Sequence, residues 1–339
     1  MNCRLSAPGP SLTDISLTDT NAALAARVAS AAKAGAGDTR FRLIAWSAAV
    51  ILLLIFLGVI AALLAGAWPA ISTFGLGFLT TEAWRPTREI FGALGPIYGT
   101  LVTSAIAVLI AIPVGIGIAI FLTELCPRFL RRPIGIAIEL LAGIPSIIYG
   151  IWGLFVFAPW FREHVQEPVS LAVEGVPILG TLFAGPAYGI GVFTAGLILS
   201  IMILPFIAAV TRDVLETVPG VLKEAAYGLG STQWEVMWKV ALPFARTGVM
   251  GGAMLALGRA LGETMAITFV IGNAHRIEPS LFAPGTSISA AIANEFTEAT
   301  SELYIAALIE LGLILFVITF IVLSCAQLML RRMEKAGGK

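Results

Sequence analysis

The chain has 339 residues, of which 58% are hydrophobic and only 12% charged, and its mean hydropathy is +0.92. These values exclude a soluble globular domain and indicate an integral membrane protein, in which apolar runs of about 20 residues are candidate spanning helices. The 21 basic and 21 acidic side chains balance, so bulk charge gives no reason to expect nucleic acid as a partner. Three distant cysteines and two histidines suggest no disulfide framework, and we expect no metal site and no cofactor in this chain.

The first 40 residues are polar, and we expect residues 1–40 to form a mobile tail with one weak helix near 21–33. Six apolar segments follow, each long enough to cross the hydrocarbon as a helix. Residues 41–96 hold the first, peripheral helix and an external loop, 97–330 hold the remaining five helices, and 331–339 form a C-terminal tail. The six predicted segments are 43–67, 97–123, 133–158, 187–210, 247–272 and 303–330.

The distribution of Lys and Arg predicts the orientation, because basic residues concentrate on the cytoplasmic side of membrane proteins. Five lie in the N-terminal tail, three after the second helix, four in the loop after the fourth helix and four at the C-terminus, so 16 of the 21 share one side. We therefore predict that both termini are cytoplasmic and that the loops 68–96, 159–186 and 273–302 are external, where they can meet a partner. Apolar spacing predicts a short interfacial helix over 287–300, either packed on the last helix or used for docking.

The polar loop between the fourth and fifth helices has the sequence EAAYGLGSTQWEVMWKVALP at 224–243. Its apolar spacing predicts two short helices joined at Gly230, the second ended by Pro243, with an apolar side that no lipid covers. Gly230 should need a conformation that a side chain would disturb. An amphipathic loop on the membrane surface is the alternative. The anchor residues resemble those of the EAA loop, with which ABC-importer permeases dock onto their ATPase subunit: Glu224, Ala225, Ala226, Gly230, Leu242 and Pro243.

Two ionisable residues, Arg259 and Glu263, lie in the sequence GRALGETMA near the middle of the fifth predicted helix. A charge at that depth is costly unless it is paired or hydrated. The i, i+4 spacing predicts that both project from one helix face, and Gly258 and Gly262 leave room beside them. Either the pair is a neutralised lock against another helix or subunit, or Arg259 lines the route of an anion and Glu263 holds Arg259 in place or limits its grip. A guanidinium fork suits phosphate oxygens.

Two other acidic residues lie within predicted spans, and we expect a structural role for both. Glu139 lies about two turns from the cytoplasmic end of the third helix, where snorkelling or a water-filled vestibule would accommodate it. Glu310 lies about as far from the external end of the sixth helix. Gly143 and Pro145 interrupt the third helix, and we expect a simple kink there.

Several segments together resemble the phosphate-specific ABC-importer permeases, of the PstC type more than its PstA partner. The resemblance covers about residues 90–330 and implies a type-1 ABC permease core in a bacterial inner membrane. It also implies a heterodimer with a PstA-type permease, PstB-type ATPase subunits that bind ATP and Mg, and an external PstS-type phosphate-binding protein. It assigns the functional charges to Arg259 and Glu263. The matching stretches are GPIYGTLVTSAIAVLIAIP, FLTEL, GIPSIIYGIWGLFVFAP, the EAA loop, GRALGETMAITFVIGN and ISAAIANEF.

The sequence therefore predicts an all-α polytopic permease that lets inorganic phosphate into the cell and does no covalent chemistry itself. A permease of the same class for sulfate, molybdate or phosphonate is the nearest alternative, because substrate is first selected by the binding protein. A self-sufficient secondary transporter would use the charged helix for ion coupling but would leave the EAA loop unexplained. A membrane enzyme would need a constellation of catalytic residues that the sequence does not offer.

Overall fold

The computed structural model describes residues 17–183 and 185–337, with side chains described for 38–183 and 185–332. The predicted tails 1–40 and 331–339 therefore lie partly outside the described residues. The chain divides into two units, Met1–Ala62 and Leu63–Lys339, and each is described by itself. The main helices are α1 (Leu17–Phe74), α2 (Leu94–Leu125), α3 (Arg128–Ala142), α4 (Ser146–Ala172), α5 (Val192–Glu216), α6 (Gly220–Gly228), α7 (Gln233–Leu261), α8 (Met265–Val270), α9 (Ile288–Glu295) and α10 (Glu302–Gly337).

Five of the described helices are long and apolar enough to cross a membrane, and α3 with α4 makes a sixth span if the bent pair is counted as one. The first unit contributes most of one such stretch, Asp38–Phe74. Its side chains from 38 to 59 are all exposed, as expected of a surface that lipid covers. α1 runs without a break through both the weak helix expected at 21–33 and the predicted first span.

The core of the second unit forms where α2, α5 and α7 pack together through small residues. A Cβ added at Gly115 of α2 would lie 2.8 Å from Ile207, and one at Gly196 of α5 would lie 2.7 Å from Ile106. Such contacts let helix backbones approach closely, which is how membrane helices gain packing energy without a hydrophobic effect. The fully buried aliphatic residues of this cluster include Ile198, Leu199, Met202, Ile203 and Ile207.

The predicted interruption at Gly143 and Pro145 is confirmed, but the expectation of a simple kink within 133–158 is wrong, because α3 and α4 meet at 89°. Pro145 lies directly before α4, lacks an amide hydrogen and disfavours helical geometry in the residue before it. The hydroxyl of Tyr149 donates to the carbonyl of Leu141 at 2.9 Å across the bend and so satisfies one freed backbone group. α4 then continues past 158 and takes up half of the predicted second external loop.

The prediction that Pro243 ends a short helix is also wrong. The helix that begins at Gln233 passes through Pro243 and continues to Leu261. A wide turn at Met237–Ala241 lets the amide of Leu242 donate to the carbonyl of Met237, and Pro243, which has no amide hydrogen, follows at once. The wide turn thus accommodates the proline without a break.

The short helix predicted over 287–300 is confirmed as α9, although it ends at Glu295. The hydroxyl of Ser287 accepts from the amide of Ala290 at 3.2 Å and caps the helix. Ile288 and Ala291 are buried against apolar residues of α10, so packing on the last helix accounts for this face.

The two acidic residues in the spans have different surroundings. Glu139 on α3 accepts from Arg212 on α5 at 2.8 Å, so a specific ion pair accommodates it rather than water alone. Glu310 on α10 is only 6% exposed, and its Oε2 atom has no hydrogen-bond partner among the described residues. The ion pair with Arg212 joins α3 to α5 and gives Glu139 the structural role that we expect for it.

Candidate functional site

The EAA knob, residues 220–243, consists of α6, a short turn and the first turns of α7. α6 ends in a Schellman motif, in which the amide of Ser231 donates to the carbonyl of Ala226 at 3.1 Å and that of Gly230 to Tyr227 at 2.9 Å. Gly230 has a φ of +86°, in the left-handed region that favours glycine. The predicted need for an unusual conformation at Gly230 is confirmed.

The second half of the knob begins with a reciprocal capping box. The hydroxyl of Thr232 accepts from the amide of Glu235 at 3.3 Å, and the carboxylate of Glu235 accepts from the amide of Thr232 at 3.1 Å. Both helix ends at the turn therefore follow local sequence rules. The anchor residues lie as follows: Glu224 and Ala225 exposed on α6, Ala226 half-buried, Gly230 in the turn, Leu242 half-buried and Pro243 exposed on α7.

The outer face of the EAA knob exposes large apolar side chains. Leu229 is 89% exposed, and the exposed rings of Trp234 and Trp238 lie 5.2 Å apart. A concentration of exposed apolar area marks a surface for a partner. The exposed apolar residues of this face are Val221, Leu222, Tyr227, Leu229, Trp234 and Trp238.

An ion pair holds the knob against the end of α2. Lys223 donates to Glu124 at 2.6 Å, and both side chains are largely buried, at 20% and 16% exposure. On the inner side of the knob, its residues Met237 and Ala241 are buried in a cluster with Leu215 of α5. The knob is therefore fixed to the ends of two spanning helices rather than attached by a flexible linker.

Lys223→Met should loosen the knob, because it leaves the Glu124 carboxylate buried without its partner. Such a loss costs about 1–2 kcal/mol, so amide hydrogen exchange in α6 should accelerate about tenfold. Lys239→Met is the matched control, since Lys239 is 72% exposed and solvent screens its pair with Glu235. Equal exchange in the two variants would show that the Lys223 pair does not hold the knob.

The predicted fifth helix is interrupted just after Arg259, between Leu261 and Met265. α7 ends at Leu261, and Glu263 lies in the break before α8. The carboxylate of Glu263 accepts from the amide of Ala266 at 3.3 Å, and Glu263 is only 7% exposed. The prediction that Arg259 and Glu263 project from one face of a continuous helix is therefore wrong. The sequence GET before an apolar run is a helix stop and start signal that could have revealed the break.

Arg259 itself lies in the last turn of α7 and is exposed. Its guanidinium carbon lies 5.0 Å from the ring centroid of Phe206, a cation–π contact. Within the described part of the chain, no carboxylate lies within 4.0 Å of the Arg259 guanidinium. Phe206 is about 21 Å from the start of α5 and about 15 Å from its end, at 1.5 Å per residue. Arg259 thus lies near the middle of the span as a cation without an ion-pair partner among those residues.

A groove of about 930 Å³ surrounds the two charges. Its walls come from α5, α7 and α10 and are mostly apolar. Gly258 and Gly262 line it, and a Cβ at either would come no closer than 3.5 Å to its neighbours in this chain. The space beside these two glycines is therefore part of the groove. Besides the charged pair, the lining residues with polar side chains are Thr319 and Gln327.

Sequence reasoning did not find the part that Phe206 plays beside Arg259. Phe206 follows Pro205 in an apolar stretch of α5, 53 positions before the arginine, and this local pattern does not distinguish it from a lipid-facing aromatic residue. Thr319 and Gln327 are polar residues within the last apolar span. Their spacing of eight places them on one helix face, which is a usable signal.

Residues 111–335 match the family described as binding-protein-dependent transport system inner membrane component. The phosphate transport system permease protein PstC of Mesorhizobium japonicum is 63% identical over 89% of this chain and 92% of its own length. The PstC protein of Pasteurella multocida is 59% identical over 86% and 91%.

Solved structures share the fold at low identity. The bacterial alginate ABC transporter, crystallised with an alginate-bound periplasmic protein, gives a TM-score of 0.59 at 18% identity and covers 87% of this chain and 96% of its own. The MetNI methionine ABC transporter gives 0.54 at 17% identity, over 74% and 99%. The fold is thus that of the type-1 ABC permeases. With the sequence matches, it follows that the chain belongs to the binding-protein-dependent transport system inner membrane components, and among them to the PstC phosphate transport permeases.

Proposed function

We propose that this chain is a permease subunit of an ATP-driven importer that passes inorganic phosphate across the cytoplasmic membrane. The observation that carries the proposal is the exposed guanidinium of Arg259 near the middle of a span, without a carboxylate partner among the described residues. A cation is expensive at that depth unless it meets an anion or water. A guanidinium binds phosphate oxygens through paired donors. The identity of 63% to a PstC protein supports phosphate as that anion.

Glu263 has a different proposed role from Arg259. Because its carboxylate accepts from the amide of Ala266 in the first turn of α8, we expect it to stabilise the break between α7 and α8. We expect it to position Arg259 by fixing the backbone at the end of α7. Glu263 lines the same groove as Arg259, so its negative charge would limit how tightly an anion is held and would favour release.

The groove around Arg259 is open on one side, and a second permease subunit of the PstA type would close it. Apolar walls of α7 and α10 suit another transmembrane helix pair, and Gly258 lets a neighbour approach. In the resulting heterodimer the anion route would run between the two subunits, next to Arg259. An external phosphate-binding protein of the PstS type would deliver the substrate to the external loops.

The chain has no expected part in ATP hydrolysis, which we assign to PstB-type subunits that bind ATP and Mg. The EAA knob, with its exposed Leu229 and Trp234, is the surface proposed to dock into them. Since Gln233 and Arg259 lie on the same continuous helix, about 39 Å apart along α7, a tilt of the knob would move Arg259 directly. α7 would therefore connect the docking surface rigidly to the anion route during alternating access.

The predicted topology places both termini and the EAA knob in the cytoplasm. A reporter that is active only outside the cytoplasm should work when fused after His164 or Arg276, and should fail after Lys223 or Lys339. The reason is the excess of Lys and Arg on the side of the termini. Activity after Lys223, or its absence after Arg276, would contradict this orientation.

Uptake of labelled phosphate into vesicles tests the proposed function. The vesicles hold this chain with its partner permease, the ATPase subunits and the binding protein, and ATP is supplied on the side that the ATPase faces. We expect ATP-dependent uptake that arsenate inhibits and that excess sulfate or phosphonate does not. Uptake of sulfate or molybdate in place of phosphate would assign the chain to another oxyanion. Uptake without the ATPase would indicate a secondary transporter.

A further inference from the structure

A basic cavity of about 340 Å³ lies at the predicted cytoplasmic side, between α3 and the end of α5. Two contacts fix its place. Arg131 donates to the carbonyl of Thr123 near the end of α2, and a Cβ at Gly135 would lie 2.9 Å from Nη1 of Arg212. The charged residues that line it are Arg128, Arg131, Arg132, Arg212, Glu139 and Glu216.

The arginines of this cavity are unequally neutralised. Arg212 donates to Glu139 at 2.8 Å and to Asp213 at 2.9 Å. No carboxylate of the described chain lies within 4.0 Å of Arg128 or Arg132. The cavity therefore keeps an excess of positive charge on the α3 side, where both of these side chains are exposed.

The position of these arginines on α3 adds to that excess. Arg128 and Arg131 lie in the first turn, which has no acidic residue, and the N-terminus of a helix carries the positive end of its dipole. The Nε atom of Arg131 is buried and has no hydrogen-bond partner in the described part of the chain. Basic residues at this end oppose the dipole, so a bound anion would stabilise both the helix and the arginines.

An exposed apolar stripe on α3 runs beside Arg128 and Arg132, which form a basic stripe. Phe129, Ile136 and Leu140 are 76%, 48% and 67% exposed and lie on one helix face, adjacent to the face of Arg128 and Arg132. A basic stripe next to an apolar one is typical of a helix at a membrane interface. Free inorganic phosphate would use only the arginines, whereas a phospholipid would cover both stripes.

We propose that this cavity binds the phosphate group of an anionic phospholipid, with Arg128 and Arg132 on the headgroup and the apolar stripe on the acyl chains. The assignment to the cytoplasmic leaflet rests on the topology proposed above. The binding itself is independent of what the permease transports, so a failure of one proposal leaves the other standing.

Lipid retention by the purified full chain tests this site. The chain is mixed with phosphatidylglycerol or phosphatidylcholine of the same acyl composition, and bound lipid is counted by native mass spectrometry. Wild-type protein should retain phosphatidylglycerol and little phosphatidylcholine. Arg128→Gln with Arg132→Gln should weaken retention about 30-fold, because each basic residue near an anionic surface contributes about a factor of five. Arg331→Gln with Arg332→Gln is the matched control and should retain the lipid as wild type does.

Two further arms separate the site from its alternatives. Arg128→Lys with Arg132→Lys keeps the charges and should retain most of the phosphatidylglycerol. Excess inorganic phosphate should not displace the lipid. Equal retention of the two lipids by the wild type would overturn the proposal, as would equal loss in the two Gln variants. Displacement by inorganic phosphate would overturn it in favour of a free-phosphate site.

Discussion

Arg259→Gln should reduce phosphate uptake about 100-fold while the complex still assembles and hydrolyses ATP. The reason is that glutamine removes the cation facing the anion, and charge-assisted hydrogen bonds contribute about 1.5–3 kcal/mol each. The fold should survive, because Arg259 is exposed on the groove and its contact in this chain is with the ring of Phe206. Uptake and ATP hydrolysis in the same vesicles measure the two effects together.

Arg259→Lys serves as the control for charge. Lysine keeps the positive charge but loses the planar fork, so uptake should fall less than in Arg259→Gln. If the lysine and glutamine variants lose uptake equally, geometry rather than charge dominates at this position. Wild-type uptake in Arg259→Gln would mean that the anion does not meet Arg259 at all.

Gly230→Val should uncouple the permease from its ATPase while leaving the protein in the membrane. Gly230 has a φ of +86°, and no atom lies within 4 Å of the position that a Cβ would take, so the penalty comes from the backbone alone. A β-branched residue in this region costs about 1–3 kcal/mol, and relief of that strain would reshape the turn of the EAA knob. Co-purification of the ATPase should fall at least about tenfold. Gly230→Asp should act in the same direction but less strongly, because Asp tolerates the left-handed region.

Gly228→Val is the matched control for the knob. Gly228 is the last residue of α6, also has open space around it, and does not have a positive φ. The same side chain at that position should therefore leave ATPase binding close to wild type. Uncoupling by both variants would indicate that bulk on the docking surface, and not the shape of the turn, is what matters.

Local rules account for what the sequence predicted well. The Schellman motif at Gly230 and the capping box at Thr232 each depend on about six neighbouring residues, so the turn of the EAA knob could be read from the chain. The short helix α9 followed from apolar spacing in the same way. Hydropathy likewise predicts the spans without any tertiary contact. The orientation, which rests on the Lys and Arg distribution, stays a prediction.

Contacts between distant residues account for what the sequence could not predict. The Arg212–Glu139 pair joins positions 73 apart, and Phe206 meets Arg259 across 53. The wide turn at Met237–Ala241 lets the helix pass through Pro243 without a break. Packing of Met237 and Ala241 against other helices keeps this helix continuous. The break at Glu263 has a local cause instead. The apolar residues on both sides of Glu263 predict one long helix, whereas the structure has two, α7 and α8, separated at the local stop signal.

The most direct measurement is phosphate uptake by the double variant Arg259→Gln with Glu263→Gln, alongside assembly and ATP hydrolysis. Glutamine at 263 can still accept from the amide of Ala266, so the break between α7 and α8 should persist without any buried charge. If Arg259 faces the anion route, the double variant assembles and hydrolyses ATP yet takes up about a hundredth of the wild-type phosphate. Uptake near wild type in the double variant would contradict the account and show that transport needs neither of the two charges.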